Sequence, residues 1–189
     1  LNYLIEYPYG CTEQRIALAS SAIAVKPFAP LLAAAGLTNR LSADVRATQR
    51  AIEQSIDEDG LVAFWPKAKG NVSLTAWAYS FLVAAERAEE SVDKALIERL
   101  AKVLRQALRS DYGRLIAGEE LRERVEALKA LADGGHLEDA YLAELARRAP
   151  AMPNTSLGEV TAAVAQLPSE DRRLVTSLLG DVWSRVKIL

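Results

Sequence analysis

The chain has 189 residues, half of them hydrophobic and a quarter charged, the composition of one globular domain or a large piece of a bigger one. Its 23 basic and 25 acidic residues leave a net charge of −2, without the basic excess that a nucleic-acid surface needs. No apolar run is long enough to span a bilayer, there is no signal peptide, and a beginning at Leu1-Asn2 without an initiator Met fits a piece of a longer protein. One cysteine rules out an internal disulfide, and one cysteine with one histidine rules out a Cys/His zinc site. No cofactor and no metal are expected. A histidine-based triad would have to use His136 alone, so any chemistry falls to Cys11 or to carboxylates.

Taken in chain order, the elements are helical. Pro8 and Gly10 mark a turn or extended loop, followed by a helix over 13–34 that Pro27 and Pro30 should break, since neither has an amide to donate. After Gly36, Ser42 opens a helix over 42–56 with Val45, Ile52 and Ile56 on its apolar side. Asp59-Gly60 stops it. Residues 71–88 form the next helix, and its segment 72–85 carries no charge, so it should be buried on every side. The helix over 93–109 is amphipathic, with Leu96, Leu100, Val103 and Ala107 on one face. The helix over 119–133 repeats this with Leu121, Val125, Leu128 and Ala132, and ends at Gly134-Gly135. Three more follow: 138–149, stopped by Pro150 through Pro153; 157–166, opened by a capping box of Ser156 and Glu159; and 170–187, opened by Ser169. Leu174, Leu178, Val182 and Val186 line the last. The eight helices pair as hairpins beginning near 13, 71, 119 and 156, too unevenly for a strict solenoid repeat. An apolar helix among amphipathic ones fits an all-α fold with inner and outer helices, as in an α/α-toroid, and equally a central helix in a compact bundle.

Chemistry points to Tyr7-Pro8-Tyr9-Gly10-Cys11-Thr12-Glu13-Gln14. Cys11 lies where the helix begins, and a helix N-terminus favours negative charge. Residues three apart meet on one side of a helical turn, so the Cys11 sulfur can reach the Gln14 carboxamide, expel ammonia and form an internal thioester. Such a bond hydrolyses slowly in water and needs a dry cover, which Tyr7 and Tyr9 can supply.

Gly10-Cys11-Thr12-Glu13-Gln14 resembles the thioester motif of the α2-macroglobulins and complement components, and the longer run from Tyr7 looks like its bacterial version. Gly70-Asn71-Val72-Ser73-Leu74-Thr75-Ala76-Trp77-Ala78 is similar to that family's Leu-Thr-Ala helix, and Asp59-Gly60 through Phe64 also resembles its pattern. The likeness runs in order along the whole chain, with the last third matching only in helical texture. It implies an α/α-toroid over 1–189, a thioester-containing domain within a larger multidomain protein. It implies a single-use covalent trap, not an enzyme: a protease cuts a bait region elsewhere in the parent, the thioester is exposed, and a lysine amine of the attacker is captured. Cys11 would supply the sulfur and Gln14 the acyl carbon; Tyr7 and Tyr9 would shield the bond; Gly10 and Glu13 complete the motif. The implied partners are target proteases and the parent's other domains. The implied location is the periplasm, with a lipid anchor elsewhere in the parent as the membrane attachment, or else outside the cell.

Two departures bear on this. Complement-type members that couple to hydroxyls use a histidine from a later loop, expected here around 111–118, where there is none; His136 comes later, so coupling to amines is expected. A full toroid of the family implies about twelve helices against eight here, so the chain is expected to be truncated or unusually short and to leave apolar faces uncovered.

Plainer readings stand beside these. Cys11 can be an inert buried thiol, and Tyr7 and Tyr9 core anchors. Trp65, Trp77 and Trp183 read as core or groove residues, His136 as a cap or surface residue, and Arg147-Arg148 and Arg172-Arg173 as solvated helix faces. Asn71-Val72-Ser73 and Asn154-Thr155-Ser156 fit the glycosylation pattern but read better as helix caps. The rival functions are a helical-repeat binding module without an active thioester and a cysteine-nucleophile enzyme, which would need a base near Cys11.

Overall fold

The structure is a computed structural model that describes residues 10–28, 33, 38–109, 120–136, 141, 147–165 and 172–186. Among the described residues it holds seven α-helices, two short 3-10 turns and one isolated antiparallel bridge, Ile56 to Val62. The helices are α1 (Thr12–Val25), α2 (Thr38–Gln54), α3 (Val72–Arg87), α4 (Lys94–Leu108), α5 (Glu120–Asp133), α6 (Asn154–Ala165) and α7 (Arg172–Ser184). The chain divides into two compact units, Leu1–Val103 and Leu104–Leu189.

In the first unit α1 packs on α2 and α3. Ile16 and Ala19 of α1, Val45 and Ile52 of α2, and Ala78, Tyr79, Leu82 and Ala85 of α3 make its core. The absence of charge over residues 72–85 of α3 permits this, and burial of its apolar side chains holds the helix in place. Asn71 caps α3, its Oδ1 accepting from Leu74 N at 2.8 Å, so its N-terminus is satisfied as expected. Burial on every side does not hold: Trp77 and Ala84, seven residues apart, are exposed. Burial of Leu96, Leu100, Val103 and Ala107 agrees with the apolar face expected of α4. α1 ends at Val25 and passes into a 3-10 turn at Lys26–Phe28 that contains Pro27, one of the two prolines expected to break it; Pro30 lies outside the described residues.

In the second unit α5 packs on α6 and α6 on α7. Val125, Leu128 and Leu131 of α5, Leu157, Val160 and Val164 of α6, and Leu178 of α7 are buried and make its core. α5 ends as Gly134-Gly135 predicts. Gly135 takes φ +74°, a conformation open to glycine, while its N–H reaches Ala132 O at 3.0 Å and His136 N–H reaches Leu131 O at 2.8 Å.

Several boundaries differ from the sequence expectation. α2 begins at Thr38, not Ser42, and ends at Gln54; Ser42 instead lies within it and donates to Glu90 Oε2 at 2.7 Å. α6 begins at Asn154. Its first turn closes by Leu157 N to Pro153 O at 2.9 Å, so Ser156 is buried inside the helix and does not open a capping box with Glu159. Asn154 is therefore helical; its Oδ1 accepts from Arg185, at 3.4 Å. Most of the helix expected over 138–149, and Ser169, lie outside the described residues. Trp183 is not a core residue: it is 69% exposed, and Leu179 on α7 is exposed too; Val186 lies beyond the end of α7 and is 50% exposed, so it does not line the helix as expected.

Candidate functional site

The N-terminus of α1 brings Cys11 and Gln14 together. Cys11 is the N-cap, with extended backbone angles of φ −64° and ψ 166°. Gln14 is the third helical residue. The pair forms a capping box: the Cys11 side chain meets the backbone N–H of Gln14, and the Gln14 carboxamide oxygen accepts from Cys11 N–H at 3.2 Å. A sulfur is a weak acceptor, so this cap binds less firmly than a serine or aspartate cap. Cys11 is half-buried and Gln14 exposed. Glu13 is exposed in the first turn, where its charge suits the helix N-terminus. Gly10 precedes them, its carbonyl accepting from Arg15 Nε at 3.0 Å. Tyr7 and Tyr9 lie outside the described residues.

Thr12 fixes the orientation of this turn. It is buried, its N–H donates to Phe64 O at 3.0 Å, and its hydroxyl lies 2.9 Å from the Ser55 hydroxyl and 3.1 Å from Phe64 O. The motif is thus fastened to the 55–71 segment through the one motif position between Cys11 and Glu13.

That segment is built by its own polar groups. One carboxylate oxygen of Asp57 accepts from Asp59 N and Leu61 N at 3.0 and 2.9 Å, and the other from Gly70 N at 2.8 Å. Charge-assisted bonds to backbone amides are the stronger kind. Gly70 sits where a Cβ would lie 2.5 Å from Leu61 O, a separation no side chain permits. Thr75, fully buried in α3, accepts from Val62 N at 2.9 Å. The Leu-Thr-Ala stretch therefore connects to the cysteine through Val62, Phe64 and Thr12. Sequence reading missed Thr12, Ser55, Asp57 and Phe64 as site residues. The signal available was Asp59-Gly60 followed by Leu-Thr-Ala, which marks a turn before a buried helix but does not say what the turn holds.

Beside the motif runs a groove of about 350 Å³, with Arg15, Arg50, Gln54, Phe64, Trp65 and Pro66 among its walls. Trp65 is thus a groove residue, half-exposed, as one of its sequence readings allowed. Among the described residues no group of His, Cys, Asp and Glu side chains is placed to hold a metal ion, and no helix is long and apolar enough to cross a membrane.

Neither protein-family models nor curated proteins give a match to this chain. Solved structures do. Salmonella alpha-2-macroglobulin reacted with methylamine superposes with a TM-score of 0.79 at 23% identity, over 97% of this chain and 12% of that one. Native Escherichia coli alpha-2-macroglobulin, from domain MG7 to the C-terminus, gives 0.75 at 21% identity, over 95% of this chain and 30% of that one. The fold is that of the alpha-2-macroglobulin thioester domain. Trypsin-activated E. coli alpha-2-macroglobulin also matches, with a TM-score of 0.73 at 22% identity over 92% of this chain and 13% of its own. This chain spans less than a third of the length of each of these structures.

Proposed function

We propose that the chain is the thioester domain of a bacterial-type alpha-2-macroglobulin that traps endopeptidases covalently. The observation that carries this reading is the Cys11–Gln14 capping box within Gly-Cys-Thr-Glu-Gln, at a helix start fastened by Thr12. The fold it shares with alpha-2-macroglobulins supports it.

In this reading closure uses the same pair. The Cys11 thiolate attacks Cδ of Gln14, the C–N bond breaks, and the nitrogen takes up a proton and leaves as ammonia. Negative charge collects on Oε1 in the tetrahedral intermediate, and that oxygen already accepts from Cys11 N–H. Capture runs the other way round: a lysine amine attacks the same carbon, an amide forms, the C–S bond breaks, and the proton the amine loses goes to the Cys11 sulfur. The Cys11 thiol is freed but Gln14 stays amide-linked to the target, so the thioester is not regenerated and the domain acts once rather than as an enzyme. Tyr7, Tyr9 and the parent's other domains would keep water from the bond until a protease cuts the bait. With no histidine in 111–118 to take over the acyl group, amines react and hydroxyls do not. A periplasmic parent, with any lipid anchor outside this chain, accords with this reading.

One observation favours a second reading. A capping box satisfies the helix start without any covalent bond, so the same residues serve a helical binding module equally well. Trapping separates the two. Trypsin added to the parent protein should yield a complex that survives denaturation, joined at Gln14, with one thiol released at Cys11. Cys11→Ala should abolish it. A complex that dissociates on denaturation would leave the helical module.

A further inference from the structure

The groove beside the motif differs in charge from the chain as a whole. Among the described residues its charged walls are two guanidiniums, Arg15 from α1 and Arg50 from α2, with no carboxylate beside them. Arg15 uses Nε on Gly10 O, and its terminal nitrogens have no partner among the described residues. Arg50 is exposed and makes no hydrogen bond or ion pair there. Phe64 and the half-exposed Trp65 stand on the same groove, presenting aromatic surface next to unused donors. Gly10, Thr12 and Arg15 border it, and these are the sequence neighbours of Cys11 and Gln14.

We infer that this groove seats a carboxylate-bearing stretch of the target beside its attacking amine, so that the trap selects lysines with acidic neighbours. The inference rests on the thioester reading and names its substrate class. A guanidinium fork matches a carboxylate bidentately, and an aromatic face accepts the adjoining side chain. The same positive charges disfavour a protonated lysine near the acyl carbon, which raises the share of free, nucleophilic amine. The covalent step is unchanged: the amide forms at Gln14, the C–S bond breaks, and the proton goes to Cys11.

The test uses the whole chain and two peptides of equal length, each with one lysine and a blocked N-terminus. One has Asp and Glu flanks, the other Asn and Gln. Thiol release and adduct at Gln14 are followed in dilute salt, with methylamine as a nucleophile that has no flanks. The acidic peptide should react roughly two- to fivefold faster, the scale expected of exposed ion pairs, and added salt should narrow the gap. Arg50→Gln should reduce the ratio and Arg50→Glu should bring it below one; both changes are at an exposed position, and helix content checks their folding. Equal rates for the two peptides, while methylamine still releases thiol, overturn the groove and leave the trap standing. If methylamine releases no thiol, the trap reading fails, and Trp65 fluorescence then decides the groove alone. Arg50-dependent quenching by the acidic peptide sustains a carboxylate site; its absence removes it.

Discussion

Thr12 occupies the motif position that carries neither sulfur nor acyl carbon, yet it joins the helix start to Ser55 and Phe64. Its hydroxyl is buried, so replacing it by a methyl leaves the Ser55 hydroxyl short of a partner. Thr12→Val should cost about 1–3 kcal/mol in urea unfolding and slow thioester closure, whereas Thr12→Ser should retain most of both. Asp57 acts one step further out. It accepts from three backbone amides, and an asparagine has one carbonyl oxygen to offer in place of two carboxylate oxygens. Asp57→Asn should lose about 1.5–3 kcal/mol and, by loosening the Phe64 carbonyl, lower the fraction of chains that close. A stability loss with unchanged closure would show that the 55–71 segment does not position the motif.

Cys11 and Gln14 were legible in the sequence because their relation is local: three residues apart at a helix start. Thr12, Ser55 and Asp57 were not, because their hydrogen bonds reach 43 and 52 residues along the chain from Thr12, or act on backbone amides in a loop. Nothing in a short window of sequence encodes such partners.

At the scale of elements, helical periodicity located α3, α4 and α5 within a residue or two, since each has a continuous apolar face and a cap or glycine at an end. α6 was misjudged at its start because Pro153 supplies the first carbonyl, and a helix opened that way has no need of Ser156 as a cap. The end of α3 carries a misfit the sequence does not reveal. Glu89 takes φ +60°, with its N–H on Glu86 O and Glu90 N–H on Ala85 O. A glutamate strains there and a glycine does not, so Glu89→Gly should raise stability by up to about 1 kcal/mol. A lower thermal midpoint would contradict this.

Two carboxyl groups give the helix packing opposite pH dependences. Glu90 follows that turn and binds Lys26 Nζ at 2.8 Å and the Ser42 hydroxyl at 2.7 Å, linking α2 and the Lys26–Phe28 turn to the end of α3. The Lys26 bond, then the Ser42 bond, hold its pKa below the usual carboxylate value. Its stabilisation is present above the unfolded pKa and is lost as pH falls through the folded one. Glu90→Gln should therefore destabilise at neutral pH and converge with the parent chain in acid. Glu159 on α6 runs the other way. Burial, then the neighbouring Glu126 charge, raise its pKa. The folded chain keeps that proton at a pH where the unfolded chain gives it up, so stability falls as pH rises above the ordinary carboxylate range. Glu159→Gln should raise the neutral-pH thermal midpoint and have little effect in acid. Equal midpoint shifts at both pH values would refute that assignment.

For the molecule as a whole, the helical class and the likeness to alpha-2-macroglobulins were readable from Gly-Cys-Thr-Glu-Gln, the Leu-Thr-Ala stretch and the charge-free helix. Exposure of Trp77 and Trp183 was not, since an aromatic side chain in a helix carries no mark of which side faces solvent. Selectivity among nucleophiles is a property at this scale too. With His136 at the end of α5 and none in 111–118, a small primary amine should be coupled and glycerol should not. Ester formation that vanishes in His136→Ala would reverse this.

The central claim is a covalent bond between Cys11 and Gln14, and the intact mass of the native protein tests it most directly, before and after methylamine. The account predicts a mass short by one ammonia, then methylamine attached at Gln14 with one free thiol at Cys11. A full mass with glutamine intact at position 14, and no methylamine taken up, would contradict it.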